Sequence, residues 1–145
     1  MNIVRYMILW AAFIILFTAA VLGLEFLEGY KIFTTEYYGL RNLGFAFVVI
    51  AFLIACVFYP VILLPVSMVI RRIISPFVGR LLIYCLLGGM GGIWVFHTFY
   101  SDDFVSRYQL NISSSILIFG AVGVLYALLD YYLERYQASA GKRVI

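Results

Sequence analysis

Charged side chains are scarce in this chain of 145 residues, at 12% of the total. A soluble domain carries about 25% and surrounds itself with them. Here they cluster between long apolar runs, so the sequence does not encode a solvated surface. Cysteine is equally sparse. Cys56 and Cys85 lie inside apolar runs, without a second Cys or His at metal-ligand spacing, and read as small hydrophobes that are not expected to pair. There is one histidine, His97, and three prolines, Pro60, Pro65 and Pro76. No H-E-x-x-H, no G-x-S-x-G and no phosphate-binding glycine loop after a strand occurs. Nothing in these motifs calls for a cofactor or metal, and no catalytic constellation is expected.

What the chain has in abundance is hydrocarbon, with 66% hydrophobic residues and a mean hydropathy of +1.07. A spanning helix needs about 20 predominantly apolar residues. Four segments meet that length: about 3–24, 43–64 with a kinked extension to 70, 81–100 and 112–133. The fold class expected is therefore an all-α membrane protein, a compact bundle of four transmembrane helices in one domain over 1–145. The first run exceeds a signal-peptide core of about 7–15 residues and reads as a retained span. Residues 134–145 read as a polar, frayed tail.

Orientation follows from Lys and Arg. Arg5, Arg71, Arg72, Arg80, Arg135, Lys142 and Arg143 fall on one side, and Lys31, Arg41 and Arg107 on the other. Short loops rich in these residues stay inside, so both termini are expected in the cytoplasm of a multi-pass cell-membrane protein. The formal charge of +3 is thus a topology signal, and no nucleic-acid partner is expected. Tyr30, Tyr37, Tyr38, Tyr100 and Tyr108 would form one aromatic belt, and Tyr6, Trp10, Tyr131, Tyr132 and Tyr136 the other.

The second segment is apolar from Leu43 to Ile70. Proline deletes a donor and crowds the preceding turn, so Pro60 and Pro65 predict a kink. The expected form is a span ending near Leu64 and a bent interfacial piece, from which Arg71 and Arg72 snorkel to the headgroups. One long, tilted helix is the alternative.

Between residues 86 and 103 runs "LLGGMGGIWVFHTFYSDD", with four glycines in five positions. At 100° per residue, Gly88 and Gly92 share a face as a G-x-x-x-G that admits a close neighbour. Small residues recur at heptad-like spacing elsewhere: Ala12, Ala19 and Gly23; Gly44, Ala51 and Ala55; Ser113, Gly120 and Ala127, with Gly123 nearby. These stripes predict a packing seam on each helix. Phe13, Phe17, Phe45, Phe52 and Phe119 fall off it, to face lipid or fill gaps. Gly89 and Gly91 also lie off it, as a flexible point or a second contact.

Two polar residues are functional candidates. His97 faces away from the seam beside Met90 and Ile93, and Asp102 or Asp103 could tune its charge. Asp130 points toward the bundle, and an ionisable group in a span is a functional hypothesis. Its plainer role, which we favour, is a partner for Arg135, Arg80 or Arg5. Glu25 and Glu28 read as solvated. No charged residue or histidine lies near the middle of a span, where coupled transporters use them.

The expected function is that of an accessory, regulatory or immunity-type membrane protein acting through helix–helix contacts. Its expected partners are membrane lipid, other membrane proteins or a second copy of itself. A subunit of an oligomeric small transporter or channel is the alternative.

Overall fold

A computed structural model describes residues 3–143. It is all-α, with four helical runs long and apolar enough to cross a membrane. The first is α1 (Ile3–Leu27), followed by a single 3-10 turn at Gly29–Lys31 and a short α2 (Leu40–Leu43). The second run, Phe45–Ile73, consists of α3 (Phe45–Phe58), a π-turn at Tyr59–Leu63 and α4 (Leu64–Ile73). The third is α5 (Phe77–Phe99). A seven-residue helix, α6 (Asp102–Tyr108), leads to the fourth, α7 (Ile112–Arg143).

Several boundaries differ from the sequence reading. In the second run the extension beyond Leu64 is helical to Ile73, three residues past the expected 70, where Ile74–Pro76 turn the chain directly into α5. Pro60 is absorbed by the π-turn, a widened turn that typically occurs singly within α-helices, and Pro65 sits in the first turn of α4, where a missing N–H is tolerated. Pro60 has no N–H to offer the Cys56 carbonyl four residues earlier. The Trp10 indole N–H donates to that carbonyl instead, at 3.1 Å. Residues 134–143 are not frayed but continue α7. They contain no proline, and Glu, Arg, Gln, Ala and Lys are good helix formers.

Helix packing is uneven. α5 and α7 lie in close contact along their length, α1 packs on α7 and on α3, and α3 and α4 have little backbone contact with α5. The α5–α7 seam is where glycine is indispensable. A Cβ at Gly88 would collide with the Phe119 carbonyl, and one at Gly123 with the Tyr84 carbonyl. At Gly92 it would come within 2.6 Å of the Ser115 carbonyl oxygen. That approach lets the Ser115 hydroxyl donate to the Gly92 carbonyl at 2.6 Å. Gly120 and Ala127 are buried on the same face of α7.

The other small-residue stripes are placed differently. Ala51 and Ala55 are buried. Ala19 and Ser113 are exposed, Ala12 is half-buried, and a Cβ on Gly23 would meet nothing within 4 Å. The buried face of α1 is made of Leu9, Phe13, Phe17, Ala20, Val21 and Leu24. Phe13 stacks on Phe58, and Phe17 sits edge-on to Phe119. Rings fill the space that the small-residue stripe was expected to close, because aromatic side chains bury far more area than alanine. Phe45 and Phe52 are exposed. Gly44 is no seam residue either. It is exposed at φ +59°, ψ −131°, a conformation that favours glycine, and it breaks α2 from α3.

Candidate functional site: buried polar clusters at both ends

The polar residues gather at the two ends of the bundle. At the end where α1 begins and α7 finishes, three arginines converge on two carboxylates one turn apart on α7. Asp130 is 3% exposed. Its Oδ1 accepts from the Arg5 Nη2, at 2.8 Å, and from the Arg71 Nη2. Its Oδ2 accepts from the Arg71 Nε at 3.1 Å. Arg5 also donates to the Asp130 main-chain carbonyl at 2.9 Å. The second carboxylate, Glu134, accepts from the Arg80 Nη1 at 2.9 Å and lies 3.7 Å from Arg5. Arg5 comes from α1, Arg71 from α4 and Arg80 from α5, so each of the other three runs contributes one arginine to a knot around the two carboxylates of α7.

This arrangement corrects two expectations. Arg71 does not snorkel; it turns inward to Asp130, and a further hydrogen bond reaches the Tyr6 hydroxyl at 3.4 Å. A buried carboxylate needs its oxygens satisfied, and the two hydrogen bonds from Arg71 to Asp130 outweigh the pull of the headgroups. Arg135 is not the partner of Asp130 but lies over the Tyr131 ring at 5.6 Å, while Arg72 is exposed. Just inside the knot, hydroxyls line up from Tyr59 to Tyr126 (3.1 Å) and from Tyr126 to Ser67 (3.3 Å). The neighbouring Tyr84 hydroxyl is buried without a hydrogen-bond partner.

At the opposite end, Glu25 and Glu28 are not solvated but are 1% and 2% exposed. Glu25 accepts from the hydroxyls of Tyr37 and Tyr100, the latter at 2.9 Å, and from the Leu40 N–H at 3.1 Å. Glu28 accepts from the Lys31 ammonium (2.8 Å), the Ser114 hydroxyl (2.7 Å) and the Asn111 N–H (2.9 Å). Tyr37 and Tyr100 therefore serve as buried donors rather than as members of an aromatic belt. Burial raises both phenols well above the ordinary value of about 10, and for Tyr37 the hydrogen bond to Glu25 adds to the rise. Both carboxylates tie loop segments to the helix ends: Glu25 fixes residues 37–40, and Glu28 fixes the start of α7.

The remaining candidates stay apart from these clusters. His97 is exposed with its ring edge-on to Phe96, and neither a hydrogen bond nor an ion pair joins it to Asp102 or Asp103. Cys56 and Cys85 are free thiols. Among the described residues, no group of three His, Cys, Asp or Glu could hold a metal ion.

Sequence reasoning missed the Glu25 cluster because its donors are tyrosines and main-chain N–H groups, which carry no charge pattern. The available signal was the absence of a nearby cation for Glu25 beside many tyrosines. Chemically, the buried carboxylates are closed: both oxygens of Asp130, Glu25 and Glu28 already accept from donors, while Glu134 remains partly exposed.

The fold and these clusters define a class: an all-α bundle with four helices suited to crossing a membrane, locked by polar groups at each end. Beyond that class, no family model, curated protein or solved structure matches the chain.

Proposed function

We propose that the chain is a non-catalytic, multi-pass cell-membrane protein that acts through helix–helix contacts, as an accessory, regulatory or immunity-type subunit. Its termini lie in the cytoplasm, on the side richer in Lys and Arg. The observation that carries this reading is the imbalance of burial among the four runs. In their most apolar stretches, 33% of residues are buried in the first and fourth runs, against 22% and 17% in the second and third. α5 presents Val78, Leu82, Leu86 and Met90 as an exposed row with a period of four, and Ile93 and His97 extend it. Such a row is a helix face in want of a neighbour, and in lipid that neighbour is selected by close packing.

The competing reading, a subunit of an oligomeric transporter or channel, calls for polar groups through the middle. Phe13, Phe17 and Phe119 occupy that level, and the charged groups stop at the end clusters. Affinity purification from gently solubilised membranes tests the proposal. A defined membrane-protein partner, or a discrete oligomer of the chain, is expected, and it should be lost in Leu86→Trp/Met90→Trp. A monomer without a partner, or solute flux in reconstituted vesicles, would refute it.

A further inference from the structure

The second and third runs are joined at one end by the short Ile74–Pro76 connection. Near the other end the rings of Phe47 and Phe99 lie 5.8 Å apart. Between these two points the runs part and leave a cavity of about 180 Å³. Phe58, Ile62 and Leu63 form one wall, and Leu87, Gly91 and Trp94 the other. Ile62, Leu87 and Trp94 are also exposed, so the cavity opens sideways, toward the surroundings of the bundle. The rings of Phe13, Phe17 and Phe119 close it on the inner side.

Three features define what enters. The first is polarity. The only polar atoms among the lining side chains are the hydroxyls of Tyr84 and Tyr126 and the Trp94 indole N–H. The Tyr126 hydroxyl is committed to Tyr59 and Ser67, and that of Tyr84 is buried. An apolar cavity of about 150 Å³ stays dry and takes up hydrocarbon. The second is depth. From Phe77 at the helix end to Gly88 at the cavity is about 16 Å of helix. That distance is half of a hydrocarbon core about 30 Å thick, so the cavity lies near the midplane. Only the ends of lipid chains reach that level. The third is size. At about 180 Å³ the cavity is slightly larger than an apolar cavity of about 150 Å³ that takes up a benzene-sized hydrocarbon, a scale that suits the end of a single chain of methylenes.

We infer that this cavity is a binding site for the terminal part of one lipid acyl chain, which fills the gap between the second and third runs and completes the bundle. The inference also divides the glycine cluster by role. Gly88 and Gly92 serve the α7 seam. At Gly91 a Cβ would meet nothing within 4 Å, because that position faces the cavity. A side chain added there takes the place of the chain without disturbing the seam.

The test uses the full chain in a steroid-based detergent, whose rigid ring system does not thread the opening. Its thermal unfolding midpoint is measured with added dioleoyl phosphatidylcholine and, separately, with dihexanoyl phosphatidylcholine. The two share a headgroup, and only the first has chains that reach the midplane. The long-chain lipid is expected to raise the midpoint by about 5 °C at saturation, and the short-chain lipid to leave it in place. In Gly91→Leu the response should vanish while the lipid-free midpoint does not fall. Ile62→Trp, which fills the cavity from the opposite wall, gives the same reading if the first variant does not fold. Equal responses to both lipids, or a full response in a filled variant, would overturn the inference. So would a partner protein that crosslinks at Gly91 in a chain indifferent to lipid.

Discussion

The two ends of the bundle face the same problem and solve it with different chemistry. Each buries acidic groups: Asp130 at the end where α1 begins and α7 finishes, and Glu25 and Glu28 at the other. At the first end, arginines from three runs neutralise the carboxylates of α7, and the contacts are charge on charge. At the second, Glu25 is held by two phenols and a main-chain N–H, with no cation among its hydrogen-bond partners. The difference teaches that a buried carboxylate needs donors more than it needs opposite charge, and that the two kinds of donor do different work. Arginines draw separate runs together. Phenols and N–H groups pin the segments that flank the other runs, residues 37–40, Tyr100 and Asn111, to the end of α1.

Neutralising the acid should separate the two designs most. Asp130→Asn leaves Arg71 without its counter-charge and Arg5 with only Glu134, 3.7 Å away, and losing one partner of a buried pair costs about 3–5 kcal/mol. Glu25→Gln keeps an acceptor for the tyrosines and should cost about 1 kcal/mol. Chemical unfolding of the two variants in detergent measures the gap; equal losses would erase the distinction. Next in size are the phenols. Tyr100→Phe removes a hydrogen bond to a charged group, an effect of about 1.5–3 kcal/mol. Because both phenols are raised in the folded protein, the unfolded chain ionises first. Their contribution is intact below pH 10 and declines as pH rises beyond it. The unfolding midpoint should therefore drop above pH 10, and the drop should shrink in Tyr37→Phe/Tyr100→Phe. The smallest effect is expected at Glu134, whose side chain is 44% exposed. Glu134→Gln should cost under about 1 kcal/mol, in keeping with other exposed pairs.

Much of the fold is legible in the sequence, for physical reasons. Long apolar runs admit few structures in lipid, where every backbone group must be satisfied internally. Gly88 and Gly92 stand out because close approach excludes a side chain. The charged knot is half legible. Asp130 announces a need for a cation, and Arg5 is among the partners its position suggests. Arg71 is hidden because its direction depends on the π-turn twelve to eight residues earlier, and no periodicity carries across that turn. The Glu25 cluster is hidden for another reason. Tyrosine at a helix end serves equally as a headgroup anchor and as a buried donor, and only the path of the 29–44 segment decides between them. α1 misled by its alanines: a regular stripe of small residues is present, but the adjacent phenylalanines have more surface to bury.

The π-turn has a consequence for how this chain can change over time. It places one more residue between α3 and α4 than a regular helix would, and so sets the angle at which Ser67, Ile70 and Arg71 meet the rest of the bundle. The exposed side chains of Val61 and Ile62 could be exchanged without altering that angle, whereas Tyr59 is buried and hydrogen-bonded to Tyr126. Removing one residue would swing α4 by about 100° and carry Arg71 from Asp130 toward lipid. In this segment a change in the count of residues would disturb the bundle more than a change at an exposed side chain such as Val61.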